Sequence, residues 1–73
     1  MPAPNLASPT TLTPRQTHIL QLVAEGDTYA EIADAEFMTI TAVRSTLWYV
    51  RKKLRATNTP HAIALAYRKR IIT

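Results

Sequence analysis

Beyond residue 11 the chain has a single glycine, Gly26, and no stretch in which apolar and polar residues alternate, so helices are the regular structure it is built to form. The start signals agree. Thr13-Pro14-Arg15-Gln16 supplies a capping hydroxyl, a proline for the first helical position and a glutamine for the reciprocal cap, which predicts a first helix from Pro14. Ile19, Leu20, Leu22 and Val23 form its apolar stripe, and Gly26 suits the left-handed position at its end. Thr28-Tyr29-Ala30-Glu31 repeats the capping pattern and opens a short second helix through about Ala35, with Ile32 and Ala33 inward. Met38 and Thr39 make the turn that follows.

A third helix is predicted over about Ile40–Arg55. At 100° per residue, Val43, Leu47, Val50 and Leu54 fall in one narrow sector and face a core. Thr41, Arg44, Ser45, Trp48, Lys52 and Arg55 lie opposite. After a break at Thr57-Asn58, Thr59-Pro60 predicts a cap and a fourth helix that continues to about Ile71. Ile63, Ala66 and Tyr67 share one of its faces. Leu65, Arg68 and Ile72 stand on another that a single copy has no evident means of covering.

With 73 residues the chain makes one domain, and a domain of that size buries only about 60% of its unfolded surface, so the core is thin. A 47% hydrophobic content argues against disorder, and no stretch approaches the roughly 20 apolar residues of a membrane span. Residues 1–11, with Pro2, Pro4 and Pro9 among small polar neighbours, read as a flexible arm with neither the basic nor the apolar region of a signal peptide, and residues 12–73 as the domain. The absence of cysteine rules out disulfides and thiolate metal sites.

The net charge of +4 conceals a division. All five acids (Glu25, Asp27, Glu31, Asp34, Glu36) precede Phe37, where Arg15 is the sole base, leaving −4; from Phe37 onward there are eight bases and no acid, or +8. Such a half carries the field that attracts a polyanion, although a solvated, solubilising surface has the same composition.

Two short helices joined by a tight turn, the second basic on its outer side, have the size and polarity of a helix-turn-helix. An α-helix fits the major groove of B-DNA, where side chains near its N-terminus reach base edges and cations around it hold phosphates. Thr41, Arg44 and Ser45 are the expected base-reading residues, with Arg44 the candidate for a bidentate guanine contact, and Arg51, Lys52, Lys53 and Arg55 suit the backbone. Trp48 needs cover, which could come from a DNA groove, a partner protein or the arm folded back. Thr28 is a structural cap whose helix N-terminus would also receive a phosphate.

Catalytic and metal chemistry find little support. His18 and His61 stand apart from each other and from any ligand set, and Glu31, Asp34 and Glu36 read as a capping, solvated face. A phosphate-cradling loop needs several glycines. The Arg68-Lys69-Arg70 run suits a helix C-terminus and could also touch phosphates. No enzyme, cofactor or metal is expected.

Leu12-Thr13-Pro14-Arg15, Ile19-Leu20, Ala24-Glu25-Gly26, Glu31-Ile32-Ala33, Thr41-Ala42-Val43-Arg44, Lys53-Leu54 and Asn58 through Ala62-Ile63-Ala64 together resemble the LuxR-type (GerE-like) helix-turn-helix domain, without a gap from Leu12 to about Ile72. The resemblance implies an all-α, four-helix domain whose third helix enters the major groove and whose fourth often mediates dimerisation. It points to Arg44, Ser45 and Trp48 as base or groove contacts and places Thr28, Thr46, Arg51 and Lys52 near the backbone. Three positions depart from the pattern. Glu36 stands where the family usually has a buried Leu, so Phe37 is expected to supply the apolar contact, while Thr46 replaces a frequent His and Arg55 a frequent Gly. Thr28 to Arg55 is also similar to the promoter-reading domain of sigma factors, but the tail from Asn58 to Ile72 fits the LuxR type.

These observations lead to a sequence-specific, double-stranded DNA-binding transcriptional regulator of the bacterial cytoplasm or nucleoid, a homodimer joined through Leu65, Arg68 and Ile72. The alternatives are a sigma-factor-like promoter reader, or a module that binds polymerase or another regulator through Trp48 and Tyr49 without reading DNA.

Overall fold

A computed structural model describes residues 11–73, so the expected arm lies outside the described residues except for Thr11. Four helices follow in order: α1 (Pro14–Ala24), α2 (Tyr29–Ala35), α3 (Ile40–Leu54) and α4 (Thr59–Arg68). Among the described residues there is no strand, and the fold is an all-α helix-turn-helix domain.

Each helix begins on a side-chain cap, the device that satisfies otherwise orphaned backbone N–H groups. Thr13 and Thr28 both form complete capping boxes: each hydroxyl accepts from the N–H three residues on, and Gln16 or Glu31 returns the bond to the cap's own N–H. Thr39 caps α3 by accepting from Ala42 N–H at 3.0 Å. At α4 the cap is Asn58 rather than Thr59: its Oδ1 accepts from His61 N–H at 2.8 Å, so Thr59 and Pro60 take the first two helical positions. An amide side chain reaches back over the helix start as well as a hydroxyl does, and Pro tolerates the second position because its missing N–H would have no partner there either.

The core is one cluster. Ile19 and Leu20 from α1, Ile32 and Ala33 from α2, Val43, Leu47, Val50 and Leu54 from α3, and Ala62 and Ala66 from α4 are buried together with Ile72. Helix α3 packs against each of the other three, so its inner row is shared by the whole domain. Burying an aliphatic side chain of this kind stabilises by about 1.5–3 kcal/mol, which makes that row the main support of a small fold.

Two expectations about α4 and the tail are corrected. Ile72 does not lie on an outward face: it is 3% exposed and belongs to the core. The helix stops at Arg68, and Arg70 adopts φ 59, a left-handed conformation that reverses the chain. Ile71 N–H then bonds Ala66 O at 2.8 Å, and Ile72 falls inward. Thr73 is clasped by the Gln21 side chain, which accepts from its N–H at 3.1 Å and donates to its main-chain oxygen at 2.8 Å. Leu65 is half-buried against the core, leaving Arg68 alone of the three fully exposed. Ala62 and Ala66 are buried in the chain's own core.

The third correction concerns Phe37. It does not fill the space left by Glu36 but stands 97% exposed at φ 56. In that left-handed conformation its side chain turns to solvent, and the next residue, Met38, packs against the core while its N–H bonds Ala33 O at 2.8 Å. Glu36 meets His18 of α1, with Nε2 and Oε2 3.0 Å apart, an exposed pair that contributes little.

Candidate nucleic-acid interface

The turn from Glu36 to Thr39 joins α2 to α3, and the Thr39 cap sets where α3 starts. From that start the helical repeat does the rest. With Val43, Leu47, Val50 and Leu54 held inward, the opposite side presents Thr41, Arg44, Ser45, Trp48, Lys52 and Arg55, all exposed. Thr41, Arg44 and Ser45 occupy the first two turns, while the C-terminal turns carry Arg51, Lys52 and Lys53.

At the middle of this surface the aromatic side chains are ordered by one another. Trp48, 45% exposed, meets Tyr49 edge-to-face with ring centroids 5.1 Å apart and planes at 89°. The Lys52 ammonium lies 5.0 Å from the centroid of the Trp48 ring, within cation–π range. Arg44, Trp48 and Lys52 are spaced by four residues and so stand in a single row. Tyr49, 55% exposed, carries no groove role in the sequence-based reading; its place beside Trp48 in the sequence, at the edge of the outward arc, was the available signal.

The phosphate-contact candidates divide. Lys52 and Arg55 are exposed. Arg51 is half-buried, and its Nε–H has no acceptor among the described residues. Thr46 is half-buried and donates its hydroxyl to Ala42 O at 2.9 Å, a bond within the helix. Thr28 is exposed, but its hydroxyl accepts from Glu31 N–H and the Glu31 carboxylate covers its own N–H at 2.7 Å, so the start of α2 already holds a negative group. Lys53 is turned away from the surface: its ammonium donates to Thr11 O at 3.1 Å and Gln16 Oε1 at 2.9 Å, tying α3 to the cap of α1. On a helical projection Lys53 lies on the flank of the inner row, which separates it from Lys52.

Arg55 ends α3 at φ 57 and ψ 41. A left-handed residue here closes the helix by letting Ala56 N–H reach Arg51 O at 2.9 Å, a position where glycine carries no steric penalty. Arginine accepts that penalty and places a cation at the end of the surface.

Sequence comparison identifies the arrangement. The family model described as bacterial regulatory proteins, luxR family, matches residues 10–66, from just before α1 to the eighth residue of α4. The chain belongs to the LuxR family of bacterial regulatory proteins. No curated protein matches the sequence. Membership makes this a DNA-binding helix-turn-helix domain of a family of transcription regulators rather than of enzymes. The match takes in the α3–α4 junction and Asn58 to Ala66, the part that separates the LuxR type from the sigma-factor resemblance. Among the described residues no helix is long and apolar enough to cross a membrane, and no three potential metal ligands come together.

Proposed function

We propose that this LuxR-family domain regulates transcription by placing α3 in the major groove of double-stranded DNA and reading sequence there. The observation that carries the reading is the division of α3 into a buried aliphatic row and an exposed row of Thr41, Arg44, Ser45, Trp48, Lys52 and Arg55. Thr41, Arg44, Ser45 and Trp48 take the base edges and groove floor, with Arg44 bidentate to a guanine. Lys52 and Arg55 take phosphates, and Arg51 joins them by swinging its guanidinium toward an acceptor that its Nε–H lacks among the described residues. Thr28 and Thr46 are less available, because the Thr28 hydroxyl and N–H are engaged with Glu31 and the Thr46 hydroxyl with Ala42 O. DNA as partner assigns the protein to the bacterial cytoplasm or nucleoid.

Two copies on half-sites about one helical turn apart complete the proposal. With Ile72 in its own core, the contact between copies falls to the outer side of α4, where Ala64 and Arg68 are exposed. Selection of bound duplexes from a random pool tests both parts. A palindromic consensus whose affinity falls steeply with salt is expected, and a single asymmetric half-site would remove the dimer while keeping groove reading.

A second reading, a module that binds polymerase or another regulator, is favoured by Phe37, a large apolar side chain fully in solvent at the turn before α3. Failure to bind any duplex at low salt would leave this reading in place of the first.

A further inference from the structure

We propose that Trp48 reads a thymine by its 5-methyl group, and that Tyr49 and Lys52 hold the indole in position to do so. The inference rests on α3 reading the major groove and adds which base chemistry the centre of the reading surface selects.

At 100° per residue Trp48 falls near the middle of the outward arc that runs from Arg44 to Ser45, with hydrogen-bonding or charged side chains on either side. A helix that meets a groove along this arc presents its largest apolar group at the centre. Base edges in the major groove offer nitrogen and oxygen donors and acceptors, and one apolar group, the thymine methyl. The carbon face or edge of an indole pressed against a donor or acceptor would bury that group without a partner, which is unfavourable, whereas contact with the methyl removes apolar surface of both partners from water. The centre of the helix therefore discriminates for thymine and against any base that presents an unsatisfied polar group there.

The free domain already has the ring arranged. The edge-to-face contact with Tyr49 and the Lys52 ammonium near the ring brace the indole from two neighbours, so less side-chain freedom is lost on binding. Lys52 also brings a positive charge to the same spot, which draws a phosphate toward the row that carries the indole.

The experiment replaces each thymine of a selected duplex, one at a time, with uracil, which lacks the methyl and keeps the same hydrogen-bonding groups. At one or two positions per half-site the unaltered protein is expected to lose about fourfold in affinity, the value of one buried methyl group. Trp48→Ala should bind thymine and uracil duplexes equally at those positions. At the same positions 5-methylcytosine should bind better than cytosine to the unaltered protein and no better to Trp48→Ala. Trp48 is the sole tryptophan, so its emission should shift to the blue when the selected duplex is added. The uracil series on the unaltered chain needs no variant, and circular dichroism establishes that Trp48→Ala is folded.

Equal affinity for thymine and uracil at every position overturns the proposal even if the duplex is bound tightly. Discrimination that survives in Trp48→Ala overturns it too, by assigning the methyl contact to another residue. If no duplex is bound, groove reading fails and this inference fails with it.

Discussion

The two long sides of α3 are made from the same fifteen residues and obey opposite rules. On the inner side Val43, Leu47, Val50 and Leu54 are held by α1, α2 and α4, and each is replaceable only by something of similar volume and polarity. On the outer side the side chains of Arg44, Ser45 and Lys52 make no hydrogen bond among the described residues, and the capped start of α3 together with its buried row fixes which way they face. Changes on the inner side should therefore act on folding, and changes on the outer side on binding with the fold left intact. A small domain shows the separation clearly because one helix serves both purposes.

The most severe test is Leu47→Ala. Removing a core leucine costs about 2–5 kcal/mol, comparable with the whole stability of a domain this small, so the variant should be largely unfolded by circular dichroism and lose DNA binding as a consequence. If it melts like the parent, the inner row is not the support described. Next is Arg44→Ala, which should leave the melting temperature unchanged while costing about 1–3 kcal/mol at one base pair and relaxing preference there, as read by competition among single-base variants of the selected site. A clear drop in melting temperature would show that the outer side also holds the fold together.

Smaller effects sharpen the distinction. Lys52→Ala should weaken all duplexes alike and reduce the slope of log affinity against log salt by about 0.9. Arg55→Gly should act on both properties with opposite sign: relief of a left-handed non-glycine residue stabilises by up to about 1 kcal/mol, while loss of the cation weakens duplex binding. Phe37→Gly should give a similar gain in thermal stability with duplex affinity unchanged, and a loss of affinity would move the turn onto the DNA-binding surface.

Much of this architecture was legible in the chain. The two capping boxes, the apolar sector of α3 and the exposure of Arg44, Ser45 and Trp48 follow from local spacing, where a side chain interacts with backbone three or four residues away. The end of α4 was not, because extension of the helical repeat to Ile72 assumes that the helix continues, and the reversal at Arg70 places a left-handed conformation on a residue type that does not signal it. Phe37 misleads in the same way: an aromatic residue beside Glu36 invites burial, yet the backbone at φ 56 sends it outward and gives the inward place to Met38. Lys53 looks like its basic neighbours until α1 is folded against α3 and offers two oxygens. These features depend on tertiary contacts or on a strained dihedral, and neither leaves a periodic trace.

The division of charge between the first two helices and the last two has a kinetic consequence. With Glu25 and Asp27 between α1 and α2, Glu31 and Asp34 on α2, Glu36 just after it, and eight of the nine cations on α3 and beyond, the domain is an electric dipole as well as a cation. In the non-uniform field near a duplex such a body experiences a torque in addition to attraction, which turns its acidic end outward before contact. Fewer encounters then begin in an unproductive orientation, an advantage that fades as ions shorten the reach of the field.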